Sequence, residues 1–193
     1  MNFESLQTPV FGKDSDYLFE FMKSIGFNPC GFEDAVKSTD KSTIKAIECE
    51  YSDWKLYDLD TFFLQFPNLE YFSAAFPSSL KCLPNSLWGL EHLKIIDLGG
   101  NGYIREIPDQ IGKLKNLVYL DLSNNFITHI PDTLYDLPNL RFLLIDDNDI
   151  EDWNVDRIIQ MPKLESLIVE PYSKLSKEDF ARIRQHKPNI WIG

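Results

Sequence analysis

One spacing recurs through the middle of this chain and restricts what it can fold into. Three segments share the pattern L-x-x-L-x-L-x-x-N, with leucine or isoleucine at its apolar positions. They are LKIIDLGGN from Leu93, LVYLDLSNN from Leu117 and LRFLLIDDN from Leu140, so their starts lie 24 and 23 residues apart. A repeat of 20 to 50 residues is the sequence signature of a solenoid, a propeller or a linear array. The chain therefore has to be interpreted unit by unit.

Weaker units flank the three regular ones at about the same period. LEYFSAAFP begins at Leu69, LESLIVEPY at Leu164 and IKAIECEYS at Ile44, which brings the total to six units. The asparagine of the ninth position is absent from these outer units. The residues that replace it are Ser52, Pro77 and Tyr172.

The second half of each unit repeats as well. The segments SLKCLPNSLWGL, YIREIPDQIGKL and FITHIPDTLYDL share Leu-Pro or Ile-Pro followed by further apolar residues. Proline ends a strand because it lacks the backbone N–H that a sheet requires. We therefore predict that the chain turns there onto the opposite side of the sheet and returns through a short helical or 3₁₀ turn.

Together these features resemble the leucine-rich-repeat family, in the variants with Ile-Pro in the convex half that are common in bacterial and plant proteins. The resemblance runs from Ile44 to about Tyr172. It implies an α/β fold, a right-handed leucine-rich-repeat solenoid with a parallel concave β-sheet of six or seven strands and helical caps. We expect an N-terminal helical capping region over 1–43, repeats over 44–172 and a C-terminal helix-strand cap over 173–193.

The residues support this fold independently of the resemblance. Apolar fourth and sixth positions, such as Leu120 and Leu122, alternate with other residues, so one strand face should point inward. Stacked units would then bury one continuous core, with each unit touching only its neighbours. At the ninth position, Asn101, Asn125 and Asn148 should turn their amides inward and form a ladder of hydrogen bonds to backbone groups.

Both ends carry features of caps. Residues 14–25 place Leu18, Phe21, Met22 and Ile25 on one helical stripe, which predicts a helix that closes the first turn. Near the other end, Ser176 and Asp179 have the spacing of a capping box, with Asp in place of Glu or Gln, and NIWI predicts a short final strand.

Charge and targeting signals limit the partners and the compartment. A formal net charge of −11 opposes binding to a phosphate backbone or an anionic membrane. We find no secretory signal and no apolar run of membrane-spanning length, and the three cysteines fit neither a disulfide framework nor a zinc site. We expect a monomeric protein of a bacterial cytosol; the alternative is delivery into a host cell without a classical signal peptide.

Patterns typical of enzymes do not fit the sequence. Gly99, Gly100 and Gly102 follow a strand, but the Lys-Ser or Lys-Thr of a phosphate-binding loop does not follow them. His92, His129 and His186 are far apart in the repeat framework, and Cys49 occupies a core position without a nearby histidine. Some bacterial leucine-rich-repeat effectors are ubiquitin ligases, but resemblance to them would require a separate cysteine-bearing catalytic domain after the repeats. We therefore predict a non-catalytic protein without a cofactor.

The predicted functional surface is the outward face of the strands. The third position carries large apolar side chains on neighbouring strands, and we expect them to form a ridge exposed to solvent with acidic residues on both sides. Such a surface is typical of a protein interface. The predicted partner-binding residues are Tyr71, Ile95, Asp97, Tyr119, Asp121, Phe142, Leu144 and Asp146.

Other interpretations of this face stay open from sequence alone. The aromatic side chains would also stabilise the sheet by pairing across strands, and Asp97, Asp121 and Asp146 could hold a calcium ion. We predict a protein–protein interaction module for a partner with a basic and apolar surface. The alternative is a subunit or effector that modulates a phosphatase or kinase through the same face, and an intrinsic hydrolase is a third.

Overall fold

A single parallel β-sheet runs through the structure. The structure is a computed structural model that describes residues 30–49, 58–75, 83–169 and 173–193. Within these ranges the sheet has eight strands, each parallel to the next and paired in the order of the chain. They are β1 Cys30–Gly31, β2 Ala46–Glu48, β3 Tyr71–Ser73, β4 Ile95–Asp97, β5 Tyr119–Asp121, β6 Phe142–Leu144, β7 Ser166–Ile168 and β8 Trp191–Ile192.

The register of this sheet aligns equivalent positions of successive repeats. Ile95 pairs with Tyr119, and Tyr119 pairs in turn with Phe142, so third positions lie beside third positions. The same register holds from β2 to β7. The predicted α/β solenoid with a parallel sheet is confirmed.

Short helical segments return the chain between strands. The α-helices are α1 Phe32–Lys37, α2 Leu59–Phe63, α3 Asp132–Tyr135, α4 Val155–Gln160 and α5 Lys177–His186, and 3₁₀ turns span Lys41–Thr43, Asn85–Gly89 and Asp109–Lys113. Pro84, Pro108 and Pro131 directly precede three of these segments in extended conformation. Each proline thus ends the extended chain and starts the convex turn, as the repeated Leu-Pro and Ile-Pro pairs predict.

The main core lies between the sheet and these convex segments. Ile96, Leu120 and Leu143 point into it from β4, β5 and β6, and Ile111 and Leu134 reach it from the convex side. Because every unit contributes to the same continuous layer, the apolar residues of one repeat are buried by its neighbours.

The predicted asparagine ladder is present. The Asn125 amide nitrogen donates to the carbonyl oxygens of Leu98 at 3.1 Å and Leu122 at 3.0 Å, and its Oδ1 accepts from the Ile104 N–H. Asn101 and Asn148 make equivalent bonds one repeat before and one repeat after. Each amide therefore joins two adjacent units through backbone groups that the bend exposes.

The eighth position has a backbone constraint that the sequence analysis did not include. Gly100, Asn124 and Asp147 have φ values of 72°, 52° and 50°. Glycine, asparagine and aspartate are the residues that adopt this left-handed conformation at least cost. The choice of residue at this position therefore follows from the turn that begins the asparagine ladder.

A second asparagine ladder, which we did not predict, lies before the strands. Asn68, Asn116 and Asn139 donate to the backbone oxygens of Ser42, Glu91 and Lys115 at 2.8, 2.9 and 2.8 Å. Each precedes the leucine at the first position of its unit, so the recurring pair Asn-Leu was the available signal.

Charged side chains of opposite sign lie side by side at the second position of neighbouring repeats, except at Val118. The Glu70 carboxylate lies between the amines of Lys45 and Lys94, and Arg141 makes a two-nitrogen contact with Glu165 at 2.8 and 2.6 Å. Burial raises the pKa of Glu70, but hydrogen bonds and charge from Lys94 and Lys45 outweigh it, so the pKa is lowered.

The ends of the described structure agree with the predicted caps in part. Ser176 and Asp179 form a full capping box at the start of α5, and Trp191–Ile192 adds the predicted final strand. The described sheet has eight strands, one more than the upper predicted number of seven, because β1 forms inside the region predicted to be helical. The predicted helix over 14–25 and the substituted ninth positions Ser52, Pro77 and Tyr172 lie outside the described residues.

Candidate functional site: the concave face

A second group of packed apolar side chains lies on the concave face of the sheet. We call it the concave cluster, and its members come from the third position of the first five repeats and the fifth position of the last two. It consists of Ala46, Tyr71, Ile95, Tyr119, Phe142, Leu144 and Ile168, with Val118 and Trp191 packed against it. The structure thus brings together the predicted apolar site residues, separately from the main core.

The expected exposure of this ridge was wrong. Tyr71, Tyr119 and Phe142 expose only 1%, 2% and 6% of their surface, and Ile95 and Leu144 are buried as well. Sequence reasoning placed every outward-pointing side chain in solvent. Side chains at equivalent positions of parallel strands stand roughly 4.8 Å apart, so they cover one another's sides. The rings of Tyr119 and Phe142, for example, are 6.2 Å apart and inclined by 40°.

The positions of the acidic residues also differ from the prediction, which placed them on both sides of an exposed ridge. Asp97 and Asp121 pair in register on β4 and β5 and are both buried, while Asp146 is half-buried. Two carboxylates therefore lie inside the concave surface, beside the apolar cluster and not around its rim.

Each of the two buried carboxylates has hydrogen-bond donors from its own surroundings. Asp97 accepts from the Ser73 hydroxyl at 3.2 Å and from the Gly99 N–H at 3.2 Å. Asp121 accepts from the Ser123 N–H at 2.9 Å and from the Ser123 hydroxyl at 2.6 Å. These bonds hold the two groups in fixed orientations, which reduces the cost of burying them.

Gly99 provides the space for this arrangement. A Cβ at this position would lie 3.0 Å from Asp121 Oδ1 and 3.0 Å from the Ser123 hydroxyl oxygen. Any larger residue would displace one of them, so the glycine of the seventh position belongs to the concave site and not to a phosphate-binding loop.

Burial changes the acidity of groups on this face. Desolvation, followed by the negative charge of Asp121, raises the pKa of Asp97 against the hydrogen bonds from Gly99 and Ser73. Desolvation also raises the pKa of Tyr71. Burial thus favours the neutral forms of Asp97 and Tyr71, and a positive charge placed against Asp97 would lower its pKa again.

The remaining candidate groups are dispersed. In the described parts of the chain, no set of three or more histidine, cysteine, aspartate or glutamate side chains is grouped to hold a metal ion. His92, His129 and His186 are exposed, and His129 pairs with Asp152. Cys49 is buried in the main core, where desolvation raises the pKa of its thiol.

Sequence reasoning also missed two exposed aromatic residues at the edge of the repeats. Tyr103 and Phe126 expose 52% and 44% of their surface and follow the ladder residues Asn101 and Asn125. The Arg105 guanidinium lies 5.4 Å from the centre of the Phe126 ring. This edge is more exposed to solvent than the concave cluster.

No helix within the described ranges combines the length and the apolar character needed to cross a lipid bilayer.

Comparison with known proteins identifies the repeats. Residues 91–150 match the family model for leucine-rich repeats. No curated protein sequence matches the chain.

Solved structures share the fold. A leucine-rich-repeat protein of Leptospira interrogans is 23% identical, with a TM-score of 0.61 over 79% of this chain and 43% of its own. An internalin of Listeria monocytogenes is 20% identical, with a TM-score of 0.58 over 77% of this chain and 38% of its own. The chain thus spans less than half the length of either protein.

A third structure contains a bound partner. It is the leucine-rich-repeat ectodomain of the Arabidopsis thaliana membrane receptor kinase GASSHO1/SCHENGEN3, in complex with CASPARIAN STRIP INTEGRITY FACTOR 2. The identity is 25% and the TM-score 0.52, over 66% of this chain and 15% of that one.

Proposed function

We propose that this chain, whose residues 91–150 match the family model for leucine-rich repeats and whose fold is shared with leucine-rich-repeat proteins, is a protein-interaction module whose partner occupies the concave face of its sheet. The leucine-rich-repeat fold is generally a platform for protein–protein interaction, and one of the similar structures holds a partner in complex. The specific parts of this proposal are the face that binds and the chemistry of the partner.

The concave cluster is the observation that carries it. Seven apolar side chains, two of them tyrosines and one a phenylalanine, form a continuous group on the face that points away from the main core. A solenoid does not need such a group to stabilise its core, which lies on the other side of the strands. Aromatic side chains that are dried by a covering surface contribute much of the energy of protein interfaces.

The charges indicate the chemistry of the partner. Asp97 and Asp121 are buried side by side, and burial and the charge of Asp121 raise the pKa of Asp97, so ionising both carboxylates costs free energy. A lysine or arginine of the partner placed over the two carboxylates would offset this cost. We therefore propose a partner segment with apolar side chains and at least one basic residue, a preference that the net charge of −11 also supports.

The cytosol is proposed as the compartment, because Cys30 and Cys49 are both free thiols and thiols persist in a reducing environment.

Capture experiments with matched variants test the proposal. The full chain would be used as bait in an extract of its source cells, in the wild-type form and with Tyr119→Ala or Phe142→Ala. Glu106→Ala and Asp132→Ala, at exposed positions of the convex half, are the controls. We expect one partner to be lost with the concave variants and kept with the controls, while circular dichroism shows that all five proteins are folded. A partner that is lost with the convex variants and kept with the concave ones would place the binding face elsewhere.

A further inference from the structure

The fifth position of the strands carries a row of polar side chains on the concave face. Glu48, Ser73, Asp97 and Asp121 are neighbours in this row, because they pair in register from β2 to β5. The row becomes apolar at Leu144 on β6. Asp97 and Asp121 are only 8% and 6% exposed, and Glu48 is half-buried. The strands β2 to β5 therefore place three carboxyl groups in one row of the concave surface, two of them buried and adjacent.

Among the described residues, the groups that act most strongly on Asp97 are neutral or negative. The Ser73 hydroxyl and the Gly99 N–H donate hydrogen bonds to its carboxylate, and neither carries a charge. Asp121 and Glu48 act on it through their charges, and both are acidic. These contacts orient Asp97 without neutralising it.

Lysines on the flank of the same strands contact a different carboxylate. Lys45 and Lys94 occupy the second position of their repeats, and both amines lie against Glu70. The equivalent residue beside β5 is Val118, which has no charge. The positive charges at the second position of these repeats thus belong to the ion pairs of the flank and not to the fifth-position row.

Two carboxyl groups buried at paired positions do not both lose their protons easily. Ionising either one costs desolvation, and ionising the second adds repulsion from the first. The raised pKa of Asp97 has these same two causes, burial first and Asp121 next. The cost is avoided if one carboxyl keeps its proton, or offset if a cation lies beside both. A proton and a cationic side chain are therefore alternative occupants of this pair.

We propose that Asp97 and Asp121 together hold one proton in the isolated chain and exchange it for a cationic side chain of the partner. This inference rests on the proposed function, because it concerns the basic residue of a partner on the same face. When an ammonium or guanidinium group docks over the pair, the protonated carboxyl releases its proton to the solvent. The pair then changes from one negative charge to two, and the released proton carries the difference. Low pH favours the protonated pair, so affinity for the partner rises with pH.

Carboxyl ¹³C NMR of the full chain measures the proton on the pair without any partner. We expect one aspartate signal with a titration midpoint at least about 2 pH units above the ordinary aspartate value. Asp97→Asn should remove this signal, and Asp121→Asn should lower its midpoint. Asp132→Asn, at an exposed position of the convex half, should leave it unchanged. A spectrum in which every aspartate titrates below about pH 5 would overturn the inference.

Titration calorimetry with the captured partner measures the exchange itself. Repeating the titration at one pH in buffers of different ionisation enthalpy gives the number of protons released. At about pH 7 we expect about one proton per complex, and between about pH 5.5 and 7 an affinity that rises up to about tenfold per pH unit. Asp97→Asn has no such proton to release, so its affinity should change little over this range.

The outcomes separate this inference from the proposed function. No proton release by the wild type, or equal release by Asp97→Asn, would overturn the exchange. If Tyr119→Ala still weakens binding in that case, the concave face remains the binding surface. Wild-type affinity in both Tyr119→Ala and Phe142→Ala would instead refute binding at this face, and the exchange with it, even if NMR shows the proton on the free pair.

Discussion

Asp97 and Asp121 lie directly opposite each other on adjacent strands, and both are buried next to the concave cluster. Two carboxylates in this position do not help the repeats to stack, since like charges at paired sheet positions are destabilising. They are therefore a feature of the concave face that the proposed function explains and the core does not. Their energetics can be tested without knowing the partner.

The first prediction concerns the pH dependence of stability. In the unfolded chain Asp97 has its ordinary pKa, and in the folded chain that pKa is raised, chiefly by burial and next by Asp121. The folded state therefore holds this proton at pH values where the unfolded state has lost it, so this residue's contribution to stability should fall as pH rises above about 4.

Asp97→Asn removes this titration and keeps a similar shape. At pH 8 we expect the variant to be more stable than the wild type by about 1 kcal/mol or more, and the difference should shrink towards pH 5. Urea unfolding at several pH values measures it. A stability difference that stays constant between pH 5 and pH 8 would show that Asp97 is ionised throughout.

The second prediction concerns the inner asparagine ladder. Asn125→Ala removes an amide that bonds to Leu98 and Leu122 and leaves their carbonyls without this donor, so we expect a loss of about 1 to 3 kcal/mol in denaturant unfolding. Asn124 is the neighbouring control, but its positive φ means that alanine there would also be strained. Asn124→Gly avoids the strain and should change stability by less than about 0.5 kcal/mol. Equal losses in both variants would mean that backbone conformation, not the ladder, determines the effect.

The third prediction concerns the packing of the convex side. A Cβ at Gly112 would lie 2.8 Å from the Cβ of Thr133, so Gly112→Ala has to push the convex segments of two repeats apart. We expect it to destabilise the fold by about 1 to 3 kcal/mol. Gly89 has no atom within 4 Å of an added Cβ and serves as the control. Thermal unfolding of Gly112→Ala and Gly89→Ala gives the comparison, and equal stability of the two variants would contradict the close packing.

The fourth prediction concerns the alternating charges on the flank of the sheet. Glu70→Gln removes the negative charge that lies between Lys45 and Lys94. We expect a loss of about 0.5 to 1.5 kcal/mol at low salt that becomes smaller as salt rises, because cross-strand ion pairs are screened. Glu165→Gln, which removes the charge opposite Arg141, should behave in the same way. A loss that does not change with ionic strength would point to packing and not to charge.

The sequence was sufficient for the fold because the repeat specifies it locally. The L-x-x-L-x-L-x-x-N spacing placed strands such as Ile95–Asp97 and Tyr119–Asp121 and the inner ladder of Asn101, Asn125 and Asn148 correctly. These features depend on side chains whose partners lie one repeat away, and the period of the repeat gives that distance.

The state of the concave face could not be predicted in the same way. The residues of the ridge and the pairing of Asp97 with Asp121 followed from the register, but their burial did not. Periodicity tells which face of a strand a side chain occupies and contains no information on what covers that face. The strand β1 was missed for a related reason, because Cys30–Gly31 has no leucine spacing and forms only by pairing with β2.

Binding to the captured partner, measured by titration calorimetry, tests the central claim most directly. Tyr119→Ala and Phe142→Ala should each weaken binding by roughly 2 kcal/mol or more, because aromatic side chains at the centre of an interface contribute much of its energy. Glu106→Ala and Asp132→Ala should bind like the wild type. Wild-type affinity in both concave variants, together with weakened binding in either convex one, would contradict the concave face as the binding surface.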